Sequence, residues 1–164
     1  METMSFENPG GFDLHYSSDL TTAWKTIYRF ELCRRTPLSF VDRHGARWQP
    51  NRSFYTDQGS VPRFPPFLRL IVPKDRFLAF YIHDSGYVFG GLYVDGKFRN
   101  MTRKAVDDLL YDMILADPKP GNRAVAYAVW MQVRLYGGWC GWKRGDIGKR
   151  PIDPHGMGGV LKMA

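Results

Sequence analysis

From Trp24 to Arg34 apolar and polar positions alternate: Thr26, Tyr28, Phe30 and Leu32 on one side, Lys25, Ile27, Arg29, Glu31 and Cys33 on the other. A period of two predicts a strand with one strongly apolar face. Leu38–Val41, the turn Asp42-Arg43-His44-Gly45, and Ala46–Trp48 predict a hairpin, and Ser53–Thr56 one more short strand. A Pro-rich connection through Pro65, Pro66 and Pro73 then excludes regular helix.

The period changes at Phe77. Phe77–Ile82 is uninterrupted by Gly or Pro and reads as the first turns of a buried helix, with a short strand as the alternative. Gly86, Gly90 and Gly91 are expected to end it, and Tyr93–Phe98 predicts a tight hairpin around Asp95-Gly96. Thr102 is a fitting N-cap for the clearest helix, in which Val106, Leu109, Leu110, Met113 and Ile114 form one apolar stripe. A further helix is expected from Asn122 to Tyr136, burying Val125, Ala128, Val129, Val133 and Tyr136. The pattern predicts an α+β fold, an N-terminal antiparallel sheet followed by about three helices. Residues 1–20, polar and rich in Gly, Ser and Asn, are expected to form a loosely held arm ahead of a domain spanning 21–136. Residues 137–164 hold eight glycines with Trp139, Trp142, Lys143, Arg144, Lys149 and Arg150, the composition of a tail that docks on the domain or on a partner.

A chain of 164 residues suits one domain, and its 44% hydrophobic content excludes a disordered protein. The net charge of +7 fits an anionic lipid surface, a nucleic acid or an acidic protein, and equally a solvated surface. No nucleic-acid-binding motif is visible. Cys33 and Cys140 make no disulfide framework and read as free thiols. The first residues lack the basic start and apolar core of a signal peptide, and no run approaches the ~20 apolar residues of a membrane span. These features predict a protein of the cytoplasm.

The candidate chemistry lies at Tyr81-Ile82-His83-Asp84-Ser85-Gly86-Tyr87. Ionisable groups in so apolar a segment cost several kcal/mol, about 2–7 for a polar group alone, unless each has a partner. On a helix His83 and Tyr87 share a face, while Asp84 points about 100° away from His83. His83 is a candidate general base near neutral pH. Asp84 and Asp57 offer hard oxygen ligands, and Gly59 lets backbone carbonyls approach a cation such as calcium. Asp107, if it reaches His83 Nδ1, would fix the tautomer and leave Nε2 to accept a proton from water. Arg103 stands four residues before Asp107 and is placed to support it.

Three motifs carry a resemblance. Thr56-Asp57-Gln58-Gly59-Ser60-Val61-Pro62-Arg63, His83-Asp84-Ser85-Gly86-Tyr87 and Arg103-Lys104-Ala105-Val106-Asp107 resemble, in order and spacing, the phage and prophage family called domain of unknown function 1353. That resemblance implies a host-cell cytoplasmic protein that can enter a virion, with phage structural proteins as partners for the tail. It implies no particular activity. The His-Asp-x-Gly-Tyr segment also looks like the active-site helix of bacterial and fungal phospholipases A2. That second resemblance implies His83 as the base, Asp84 as a calcium ligand, Asp57 with Gly59 as the calcium loop, and Asp107 holding His83. The substrate it implies is a phosphoester or an ester of an anionic lipid. The sequence departs from that pattern at Gln58-Gly59, where the glycine follows one position later, and it lacks the flanking disulfides. Calcium is the first candidate metal and zinc the second. His44, His83-Asp84 and Asp107 also follow the order of the metal-dependent phosphohydrolases, but that family is all-helical, whereas His44 falls in the expected hairpin turn Asp42-Arg43-His44-Gly45. The same residues fit a non-enzymatic virion, tail or assembly protein in which they form a buried polar network. Tyr87 then packs or bonds to the aspartate.

Overall fold

The computed structural model describes residues 4–16, 28–56, 78–117 and 123–140, the last three without their side chains. Among these residues the protein is α+β, with two antiparallel sheets and three helices. The strands are β1 (Ser5–Glu7), β2 (Phe12–Tyr16), β3 (Tyr28–Leu32), β4 (Ser39–Val41), β5 (Arg47–Gln49), β6 (Ser53–Thr56), β7 (Gly91–Val94) and β8 (Lys97–Asn100). The helices are α1 (Leu78–Phe89), α2 (Arg103–Ala116) and α3 (Arg123–Cys140).

The larger sheet runs β1-β4-β5-β7-β8 and the smaller β2-β3-β6. The β4–β5 hairpin is fastened by Asp42, whose carboxylate accepts from the His44 and Ala46 amides at 2.8 and 3.1 Å and from Trp48 Nε1 at 2.8 Å. Partial burial opposes that charge, but these donors outweigh it and hold the Asp42 pKa below the usual carboxylate value. In the β7–β8 hairpin both central residues, Asp95 and Gly96, have positive φ (49° and 78°). A turn of that hand accepts Asp-Gly readily and β-branched residues poorly.

The smaller sheet sets Leu14 opposite Phe30 and Phe30 opposite Phe54. Their rings meet α1 through Tyr81. Phe30 stands 4.7 Å from Phe54 and 5.6 Å from Tyr81 between centroids, and Phe12 stands 4.7 Å from Tyr81. Behind α1 lies the stripe of α2, where Val106, Leu110, Met113 and Ile114 have no exposed surface. The α1–α2 approach is close. A Cβ on Gly86 would stand 2.8 Å from Val106 Cγ1. Thr102 caps α2 as expected, its hydroxyl accepting from the Ala105 amide.

Several expectations need correction. Described residues of the supposed arm are paired strands: Phe6 faces Phe40 on β4, and Phe12 faces Leu32 on β3. Phe12-Asp13-Leu14-His15-Tyr16 alternates with the period of a strand, a signal that the polar, Gly- and Asn-containing composition around it obscured. Helix α1 continues through Gly86 and ends before Gly90, whose φ is 68°. Helix α3 runs to Cys140, through Gly137 and Gly138, which had been assigned to the tail. It buries Val125, Ala126, Val129 and Gln132, whereas Tyr136 is 39% exposed. Further along α3, contact passes to the side carrying Trp130, Arg134 and Gly137, spaced i, i+4, i+7, which turns Tyr136 outward. Residues 24–27, the Pro-rich connection and the tail from 141 lie outside the described residues.

Candidate functional site

The site is built where three helices meet. Leu78 at the start of α1 donates its amide to Asp117 Oδ2 at 3.0 Å, so the residue that ends α2 caps α1. Two turns on, Ser85 Oγ accepts from both the backbone amide and the side-chain amide of buried Asn51, at 2.8 and 2.9 Å. These contacts fix the rotation of α1. His83 and Tyr87 then face α2, with ring centroids 4.2 Å apart.

Asp107, fully buried on α2, is the centre of the arrangement. Its Oδ1 lies 3.1 Å from His83 Nε2 and accepts the Tyr87 hydroxyl at 2.5 Å. Its Oδ2 accepts Arg134 Nη1 of α3 at 3.0 Å. An ionised carboxylate only accepts, so His83 carries its proton on Nε2 toward Asp107. The sequence-based expectation set Asp107 on Nδ1, and the pairing is the reverse. Nδ1 instead faces Asp84, 3.7 Å from Oδ1, beyond hydrogen-bonding reach. The other Asp84 oxygen accepts the hydroxyl of buried Thr56 at 2.5 Å.

The electrostatics follow from these partners. Burial disfavours the His83 imidazolium, but the hydrogen bond to Asp107, the close approach of Asp84 and the charges of both carboxylates outweigh it, so its pKa is raised. Burial likewise disfavours the Asp107 charge, and His83, Tyr87 and Arg134 overcome that to lower its pKa. Tyr87 is pushed up, by desolvation first and then by its bond to Asp107, and it remains a phenol. The imidazole thus lies between two carboxylates, with a guanidinium closing the cluster on the Asp107 side.

The structure brings together His83, Asp84, Tyr87 and Asp107. Asp57 and Gly59 lie outside the described residues. Arg103 makes no ion pair with Asp107; the cation there is Arg134. Sequence reading missed Arg134 because a helical spacing pointed to the cation on the same helix. It missed Thr56 as the partner of Asp84 because one belongs to a strand and the other to a helix. His44 sits exposed in the β4–β5 turn, beside the Arg43–Asp112 ion pair at 2.6 Å, and has no bond to His83.

Among the described residues no group of three or more His, Cys, Asp or Glu is placed to hold a metal ion. The geometry says why. Asp107 and Asp84 occupy opposite edges of the imidazole, and all of the Asp107 acceptor face shown is engaged by donors. Nor is any helix among these residues long and apolar enough to cross a membrane. No protein-family model, curated protein or solved structure matches the chain. The resemblances noted above therefore stand on their motif residues alone.

Proposed function

We propose that this is a phage or prophage protein with a hydrolytic His–Asp site for an ester or phosphoester, in which His83 Nδ1 is the base. The supporting observation is the division of labour around one ring: Nε2 is fixed by Asp107 at 3.1 Å, while Nδ1 faces the Asp84 carboxylate at the longer distance of 3.7 Å. In the proposed step water attacks the acyl carbon or phosphorus as its proton passes to Nδ1. Asp107 stabilises the imidazolium through Nε2–H, and the leaving alkoxide then takes the proton back. Asp107 stays ionised throughout, which Arg134 and Tyr87 favour. A divalent cation, calcium before zinc, would supply charge stabilisation at the developing oxyanion. Asp84 is the single carboxylate among the described residues on the Nδ1 side, so a complete cation site requires Asp57 and Gly59. The proton steps are assigned to the chain alone.

One observation favours a second reading. The His83 side chain is only 6% exposed. A base so enclosed suits a virion, tail or assembly component in which the network holds three helices together and the tail docks on phage structural proteins.

The test is turnover of an ester and phosphoester panel by wild type, His83→Gln and Asp84→Asn, with and without calcium or zinc, with folding checked by circular dichroism. The hydrolytic reading expects loss of turnover in folded His83→Gln. Retention there sinks it. If calcium and zinc leave the melting temperature of wild type and Asp84→Asn alike unchanged, the metal is struck from the proposal.

A further inference from the structure

We infer that the outward face of α3 is a homodimer interface, on which the same helix of a second copy packs antiparallel. The helix is nearly uncharged: of its 18 residues only Arg123 and Arg134 carry charge, one at its start and the other bonded to Asp107. Its inner stripe of Val125, Ala126, Val129 and Gln132 is buried, and Val133 packs against the core. A helix with one face in a core ordinarily turns a polar face to water. Here the opposite side carries a second stripe, Ala124, Ala128, Met131 and Leu135, whose residues follow one another by four, three and four positions. That alternation sets the four side chains on one line along the helix, the seam geometry of paired helices. Ala124 and Leu135 are exposed, the latter at 64%, and Ala128 and Met131 are half-buried. Tyr127 borders the stripe and is 56% exposed.

The stripe selects its occupant. Its small residues lie toward the start of α3 and its large ones toward the end. A twofold axis that sets two α3 helices antiparallel brings Ala124 against Leu135 of the second copy, and Ala128 against Met131. Large meets small along the whole seam, and the surface is complementary to itself. Charge points the same way. At a net +7 per chain, two copies repel except where their contact avoids charge, and this stripe holds none. An anionic lipid surface would need basic side chains along the flanks of the stripe. Arg134 is turned to Asp107 instead, and α3 holds no lysine.

Sedimentation equilibrium of the full-length protein tests the interface. Wild type is expected to form a reversible dimer, at twice the 18.9 kDa of one chain. Leu135→Glu places a carboxylate in the seam at both ends of the twofold contact. It should raise the dissociation constant about a hundredfold or more. Its circular dichroism should match wild type, because the side chain is exposed in the single copy. Ala124→Lys should weaken self-association as well. An equimolar mixture of the two variants should associate again, since antiparallel pairing brings the new carboxylate to the new ammonium. A wild type that stays monomeric at about 100 µM overturns the inference and leaves the stripe to residues 141–164 or to another protein. That result needs no variant to fold. A dimer that both variants leave intact overturns it too, as does a mixture that stays apart.

Discussion

Asp107 concentrates the energetics of the site in one residue. Removing its charge while keeping its shape leaves His83 and Arg134 facing an amide in place of a carboxylate. Breaking a buried pair in this way costs about 3–5 kcal/mol, because uncompensated charge is left behind. Asp107→Asn is therefore expected to lower unfolding stability in urea by an amount in that range. Tyr87→Phe, which removes one donor and leaves two, should cost about 0.5–1.5 kcal/mol. Equal losses in the two variants would refute the central place of Asp107. The pair also sets the base. Since Asp107 and Asp84 together hold the His83 pKa above 6.5, Asp107→Asn should bring it down, as read from the imidazole resonances by NMR. Any hydrolysis should then show an acid limb above pH 6.5 in the wild type, because Nδ1 must lose its proton before it can act as a base.

At the scale of elements, α1 is aimed by contacts from outside itself. Asp117 satisfies its first amide across 39 residues of chain. Asp117→Ala is expected to cost about 0.5–2 kcal/mol in urea unfolding, the ordinary range for a lost cap. Asp117→Asn, which keeps an oxygen acceptor, should cost less. Comparable losses would show that charge, not the cap, is what matters. Gly86 makes the complementary point. Its replacement by Ala forces Val106 or the helix to shift, at about 1–3 kcal/mol for an overpacked contact. Elements whose signals are local could be read from sequence: the Asp95-Gly96 hairpin, the Thr102 cap and the stripe from Val106 to Ile114. Others depend on distant partners. β1 is a strand because β4 offers it a paired edge, and α3 persists through two glycines that by composition alone suggest a tail. The site shows the same limit. His83 and Asp107 stood out as ionisable groups in apolar helices, but which nitrogen faces which carboxylate is set by the rotation of α1. Arg134 reaches Asp107 only because α3 packs on α2.

For the molecule as a whole, these buried charges give folding a pH dependence with two limbs. Asp107 and Asp42 have folded pKa values below the ordinary carboxylate value. Their contribution is complete above the unfolded value of about 3.9 and is lost as pH falls through the folded one. His83 works in the opposite sense. Its folded pKa is raised, so its contribution is complete below about 6.5 and is lost as pH rises through the folded value. Asp107 and His83 titrate as one coupled pair, and their mutual attraction counts once across both limbs. Stability measured by urea unfolding should therefore be highest between the two limbs, declining on the acid side and, separately, above the raised pKa of His83. The alkaline decline is diagnostic, since His83 is the one buried histidine among the described residues. His83→Gln should abolish it and leave the Asp42 part of the acid limb intact. A wild-type curve flat from pH 6 to 9, outside the range where tyrosine and lysine titrate, would mean that His83 is buried neutral. Nδ1 would then be free at every pH in that range, and the acid limb expected for hydrolysis would vanish with it.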